Sequence, residues 1–307
     1  APPEGPPVKP WAVVLSLAHN AVGIMTPFLL AATGGLYTEL AGMLNIALEG
    51  LMLIGAFFAV VFAGLTGSLA LGVVLGVASS LAAALLFGLV TLNLKANVFI
   101  AGLATNLLAS GLTVVLSFQL FKNKGVVRFE LGSLPVLSLP ALDRIPLLGD
   151  LLLGHNVLVY VSWAIVLLSV VVIYRTPFGL RLRGTGLGPA TIASLGLRPQ
   201  AYQLAGILIS GFTCGLAGAV LTLNLAAFVP NITSGRGWIA LVAIYLGNKT
   251  PLGIVVASFV FGLAEAFSNY AQGALKVPAD FILAFPYAIT VLAMILYSIW
   301  RHYRTRV

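Results

Sequence analysis

The segment VLVYVSWAIVLLSVVVIY, Val157 to Tyr174, carries no charged residue and does not alternate apolar with polar positions. A strand of a membrane β-barrel shows ~10 residues of in-and-out alternation between polar turns. A helix needs ~20 mostly apolar residues to carry its backbone through ~30 Å of hydrocarbon. This stretch therefore reads as a membrane helix, and it is not alone. Apolar blocks fall at about 12–33, 44–64, 69–92, 98–121, 155–174, 201–224, 238–247, 252–272 and 281–300. The sequence predicts an all-α, polytopic transmembrane helical bundle of about eight to ten spans. The block 238–247 is too short to cross alone, and it follows the Gly- and Pro-bearing stretch Phe228 to Gly237. Together, 228–247 reads as a short broken helix, which a membrane tolerates only where neighbouring protein shields the backbone.

Composition excludes a soluble fold. Of 307 residues, 60% are hydrophobic and 8% charged, with mean hydropathy +1.08, against roughly 25% charged in an ordinary soluble domain. The formal net charge of +8 does not point to nucleic acid, because Lys and Arg sit in the loops and tail. The interval Arg175 to Gln200 carries Arg175, Arg181, Arg183 and Arg198 with no acid, and the tail adds Arg301, Arg304 and Arg306. Both are expected on the cytoplasmic side. An even number of blocks separates them, which places the mixed-charge interval 122–154 outside and Asn93 to Asn97 inside. Thr33 to Leu44 reads either as a plain loop or as a re-entrant dip. The opening APPEGPPVKP lacks the basic n-region of a signal peptide; residues 1–10 are expected to be a flexible segment ahead of a single transmembrane domain over 11–307.

Two acids lie well inside apolar blocks, Glu49 and Glu265. A carboxylate at mid-bilayer costs ~2.5–3.5 kcal/mol on insertion scales, so each needs a reason to be there. Either lines a solute path or gate, or joins helices by hydrogen bonds. Asn45 stands four residues before Glu49 and Asn269 four after Glu265, a spacing that allows bonding along one helix face. On this reading Gln at position 49 preserves the hydrogen bonding and Leu does not. Asn106 and Ser110 share a face and, like His19 and Asn20, either border a path or glue helices. The small residues Gly72 and Gly76, Gly211 and Gly215, and Ser210 and Cys214 recur four apart, as where helices approach closely.

No metal-ligand cluster is apparent, since the only His are His19, His155 and His302 and the only Cys is Cys214. GTGLG at Gly184 to Gly188 lacks the Lys of a phosphate loop, so any energy source is an ion gradient or another chain. Between the arginines, Pro189 can open a helix, Ala190 to Leu195 form it, Gly196 end it and Pro199 stop it. That short helix is either a connector or a docking element. A faint echo links NIALEGLMLIG from Asn45 with WIALVAIYLGN from Trp238, each after a Gly-containing break, as in transporters with duplicated halves.

Four ordered motifs then carry a resemblance: NIALEGLMLIGAF from Asn45, ANVFIAGLATNLLASGLT from Ala96, TPFGLRLRGTGLGPATIASLGL from Thr176, and GRGWIALVAIYLGNKTPLG from Gly235. Together they resemble the permeases of bacterial ATP-binding-cassette importers of the branched-chain amino acid, ribose and nucleoside group, nearest the nucleoside branch. The resemblance implies that Pro189, Ala190, Thr191, Ile192, Ala193, Ser194, Leu195 and Gly196 form the coupling helix gripped by an ATPase. The acid of the family's usual Glu-Ala-Ala start is absent from Ala190, Thr191 and Ile192, and Val98 stands where nucleoside-type relatives often have Glu. Implied partners are an ATP-binding cassette ATPase, an extracytoplasmic solute-binding (lipo)protein, a second permease of paralogous kind and a small polar solute. No cofactor belongs to this chain, ATP and Mg being held by the ATPase, and no chemistry on the solute is implied. Asn45, Glu49, Asn106 and Glu265 are the candidate path or gate residues. The implied location is a bacterial cytoplasmic (inner) membrane, with the C-terminus cytoplasmic. Ribose-like sugars and branched-chain amino acids are the alternative solutes. A gradient-driven transporter or channel acting alone is the alternative of another class.

Overall fold

The structure, a computed structural model, describes residues 10–137 and 151–274, with Ala288, Val291, Leu292 and Ile295 beyond them. The segment 1–9, part of the interval 122–154, nearly all of the block 281–300 and the tail arginines lie outside the described residues. Ten helices are described: α1 (Pro10–Leu40), α2 (Leu48–Thr66), α3 (Leu69–Gly88), α4 (Val98–Phe121), α5 (Val157–Arg175), α6 (Pro177–Leu187), α7 (Pro189–Ser194), α8 (Pro199–Leu223), α9 (Arg236–Leu246) and α10 (Pro251–Ala274). A single π-helical turn, Leu89–Asn93, extends α3. Two short strands, β1 (Val127–Arg128) and β2 (Ala227–Phe228), pair antiparallel with Val127 opposite Phe228. Seven of the helices are long and apolar enough to cross a membrane, and the chain is a multi-pass membrane protein.

Polar side chains cap several of the helices. Asn97 caps α4 through the amides of Phe99 and Ile100, and Asn156 caps α5 through Leu158 and Val159. Each supplies an acceptor for donors that a helix start leaves unpaired. Thr176 caps α6 with Pro177 at its first position. The expected two-turn helix after Gly188 is present as α7, and Gly196 follows it in the left-handed region at φ +76°.

At the centre, α2, α3 and α8 pack with almost nothing between their backbones. A Cβ on Gly55 would fall 2.6 Å from the Cα of Gly215, and one on Gly76 would fall 2.6 Å from the Cβ of Ala59. Ser80 of α3 bonds to the carbonyl oxygens of Leu51 and Gly211, and Thr222 of α8 donates to that of Ala56. In lipid, where apolar burial drives no association between helices, such close contact and interhelical hydrogen bonding hold a bundle together. Helix α1 lies along α8 and α10, with Gly34 against Ser210 and Thr213, and Gly262 against Ala21 and Met25.

The region Thr33 to Leu44 resolves differently from either expectation. Helix α1 continues unbroken to Leu40, and the break follows it. Leu40 and Gly42 pack on Gly186 of α6, so α1 ends at the arginine-rich end of the bundle. From there the chain turns back inward. Asn45 bonds to Ser210, midway along α8, and α2 starts at that depth. It runs to the opposite end, where Gly64 packs on Phe129 beside β1. The mirror image occurs later. Helix α8 ends near β2, the chain re-enters through Asn231, which bonds to Ser110 midway along α4, and α9 runs from there to the arginine-rich end. At 11 residues α9 is ~16 Å long at 1.5 Å per residue, about half of a membrane.

Candidate functional site

Two interrupted helices meet inside the bundle, α2 and α9 pointing their N-termini at each other from opposite halves. Such ends leave backbone donors without partners, and lipid offers none. The polar residues singled out in the sequence supply them. Asn106 on α4 accepts from the amide of Gly50 at 2.7 Å and donates to the carbonyl of Ile46 at 2.9 Å. One side chain thereby satisfies both a donor and an acceptor of the first break. Asn45 accepts from the amide of Ala47 at 3.0 Å and donates to Ser210 at 2.8 Å.

Glu49, in the first turn of α2, reaches across to the second break. Its two carboxylate oxygens accept from the amides of Gly235 at 2.8 Å and Gly237 at 2.6 Å. Hydrogen bonds to an ion contribute ~1.5–3 kcal/mol each, so two of them offset the ~2.5–3.5 kcal/mol insertion cost of the charge. The positive ends of both helix dipoles add to this. Gly237 must lack a side chain, since a Cβ would stand 2.5 Å from the Glu49 amide nitrogen.

Glu265, from α10, lies against the first residue of α9. Its Oε1 is 2.5 Å from Nη2 of Arg236, and both side chains are about a fifth exposed. The bonds along one helix face that the spacing allows for Asn45 with Glu49 and for Glu265 with Asn269 are not formed, and Asn45, Glu49 and Glu265 bond to other elements instead. Asn45 precedes α2 rather than lying on it, and Glu265 finds a cation. Arg236 was not singled out from sequence, although an arginine at the mouth of a broken apolar segment asks for an acid nearby. Asn231 was missed too. It is exposed, sits at φ +53°, and its Oδ1 accepts from Ser110 at 2.7 Å. Among the candidates, Glu49 and Glu265 are joined through α9, Asn106 stands on the α4 side, and Asn45 is buried behind. The echoed tetrads IALE and IALV both fall near a mid-bundle helix start but out of register, one straddling the start of α2 and the other one turn inside α9.

At the arginine-rich end, α7 rests on α6 through Ile192, its one buried residue, which meets Gly184. The rest of Pro189 to Gly196 is exposed, as are Leu187 at 92% and Leu195 at 69%. A groove of about 730 Å³ runs beside α7, lined by Leu92, Pro189, Ala193, Arg198 and Gln203 among others. At the opposite end, His19 and His155 stack with centroids 4.2 Å apart and line a 590 Å³ cavity with Asn20 and Asn269. Burial lowers the His155 pKa. Among the described residues no cluster of three or more metal-binding side chains occurs.

Comparison with known proteins adds the following. A family model described as branched-chain amino acid transport system, permease component, matches residues 17–294. The chain is 31% identical to the nucleoside ABC transporter permease protein NupC of Lactococcus lactis subsp. cremoris, over 92% of each chain. It is 32% identical to the guanosine ABC transporter permease protein NupQ of Bacillus subtilis, over 87% of each. The putative glucose ABC transporter permease protein TsgC13 of Haloferax volcanii is 31% identical, over 83% of this chain and 78% of the relative. No solved structure matches the chain.

Proposed function

We propose that this chain, which belongs to the permease-component family of branched-chain amino acid transport systems, is the membrane-spanning subunit of an ATP-binding-cassette importer whose solute is a nucleoside. Two relatives named for nucleoside and guanosine transport, each similar along most of the chain, support that solute over a sugar or an amino acid. The subunit itself carries out no chemistry. ATP and Mg belong to a partner ATPase, and a solute-binding protein delivers the cargo on the far side. A second permease, a paralogue, completes the membrane portion. The arginine-rich end faces the cytoplasm of a bacterial inner membrane, and α7 with Gly196 is the element the ATPase grips. The exposed Leu187 and Leu195 beside it offer apolar surface for that contact.

The observation that carries the placement of the path is the irregular stretch just before Gly235, the partner of Glu49, where Asn231 and Ser234 are exposed and Asn231 bonds to Ser110 midway along α4. Irregular backbone at that depth is tolerated where it lines water or is covered by protein. Glu49, Asn106, Ser110 and Asn231 then border the path, while Asn45 and Glu265 hold its walls from behind. Alternate exposure of this centre follows if ATP binding to the partner favours one of two arrangements.

The test is solute-stimulated ATP hydrolysis and uptake by the complex in proteoliposomes, with nucleosides, ribose and branched-chain amino acids compared. Nucleosides alone should stimulate. Stimulation by sugar alone overturns the solute, and uptake by this chain without any partner or ATP overturns the class.

A further inference from the structure

A continuous line of contacts runs from α7 to the mid-membrane break, and the side chain of Glu39 lies on it. Ile192 of α7 presses on Gly184 of α6, where a Cβ would fall 2.8 Å from its Cδ1. Two residues on, Gly186 packs on the Leu40 carbonyl and on Gly42, with the Gly42 nitrogen 2.9 Å from where a Cβ would be. The neighbouring residue of α1, Glu39, turns to the foot of α9. Its Oε1 is 2.7 Å from Nζ of Lys249, and its Oε2 accepts from the Tyr245 hydroxyl at 3.1 Å.

Both partners sit where α9 joins α10. Tyr245 is in the last turn of α9, and Lys249 lies in the connecting turn, where Asn248 and Lys249 have φ +51° and +54°. The turn is closed tightly, with the Gly247 Cβ position 2.5 Å from the backbone of Gly253. Helix α9 is short and hydrogen-bonded along its length, so displacement of its foot is carried to its head. The head is what Glu49 and Glu265 hold, through Gly235, Gly237 and Arg236.

We infer that Glu39 is a positioning residue, the pivot through which movement of the Pro189–Gly196 element is passed to α9 and so to the break at Glu49. The inference rests on the reading that the ATPase docks on that element. Glu39 is suited to the role because its side chain is only 13% exposed and ties α1 to both Tyr245 and Lys249. A carboxylate with two partners on one turn fixes direction as well as distance. Coupling between distant sites is carried by contiguous packed elements, and α9 is held at its foot by Glu39 and at its head by Glu49 and Glu265.

The test uses the assembled complex in proteoliposomes, with Ala190→Cys in every version, the parent included, as a cross-linking reporter of ATPase docking. Glu39→Gln and Lys249→Gln should each cross-link to the ATPase as the parent does and hydrolyse ATP, while solute moved per ATP falls at least tenfold. The exchange Glu39→Lys with Lys249→Glu should recover at least half of the parental ratio. A parental ratio in Glu39→Gln overturns the pivot. So does an exchange variant as poorly coupled as the single changes, which would mark general packing rather than pairing. If Glu39→Gln does not assemble, Tyr245→Phe removes one hydroxyl only, and a parental ratio there overturns the pivot as well. Failure of the parent to cross-link at position 190 would instead discard the docking reading.

Discussion

Arg236, the first residue of α9, is tied to Glu265 of α10 by an ion pair of 2.5 Å. Removing one partner leaves a charge at membrane depth, a loss of about 3–5 kcal/mol for a fully buried pair. This one is about a fifth exposed, so the loss is smaller. Glu265→Gln and Arg236→Gln should each lower the melting temperature of the detergent-solubilised chain, and the double variant should recover part of the loss. A double variant whose loss is the sum of the two single losses would show that the two side chains do not pair.

Glu49 uses both carboxylate oxygens as acceptors, so Gln there is less conservative than the sequence suggests. Its amide offers one acceptor and turns a donor toward a second donor. Glu49→Gln should therefore destabilise by about 1–3 kcal/mol, the cost of leaving a buried donor unmet, and Glu49→Leu by more. Chemical denaturation in mixed micelles measures both. A Gln variant as stable as the parent would mean that one of the two bonds to Gly235 and Gly237 contributes nothing.

Asn106 serves two backbone groups at once. Asn106→Leu should cost more than about 1 kcal/mol, the net worth of a single ordinary hydrogen bond, because Gly50 and Ile46 both lose their partner. Hydrogen exchange at Gly50 should accelerate in the variant, and unchanged exchange would count against the assignment.

Gly196 sits at φ +76° with open space around it. Backbone conformation, not crowding, selects glycine there, and a left-handed residue with a Cβ costs roughly 1–2 kcal/mol. Gly196→Asn, which tolerates that conformation, should keep most ATP-coupled uptake. Gly196→Val should lose it while the helix content by circular dichroism stays that of the parent. Normal uptake by the Val variant would remove α7 from the coupling role.

His155, in the turn ahead of α5, has its pKa lowered by burial and, less strongly, by neighbouring His19, against an opposing bond to the Leu151 carbonyl. With a folded pKa below the ordinary ~6.5, the unfolded chain takes up the proton more readily. Stability from this group is present at pH 7.5 and falls as pH drops through about 6.5 and below. The melting temperature should decline between pH 7.5 and 5.5, and less steeply in His155→Gln. Identical slopes would show that His155 does not contribute.

The spans were legible because lipid imposes one rule on every residue of a crossing helix, and Val157 to Tyr174 states it without exception. The short α9 was legible for the same reason, its apolar run ending too soon. The breaks were not fully legible. Asn45, Glu49, Asn106 and Glu265 stood out as polar residues in apolar blocks, but their partners are backbone amides, carbonyls and an arginine far along the chain. Sequence spacing sees only neighbours three or four residues away, so it offers Asn45 with Glu49 and Glu265 with Asn269 and none of the distant partners. Asn231 and Arg236 escaped because they lie in a loop-like stretch whose depth only the fold reveals. Helix α6 hid among arginines, although Thr176 followed by Pro177 is a helix start.

The bare glycine contacts among α2, α3 and α8 have a mechanical meaning. Backbones seated this closely cannot slide past one another without collision, so any movement in transport should leave the trio together as a chassis. Distance probes on this transporter should accordingly keep one label on that frame and place the other on α9, where the travel is expected.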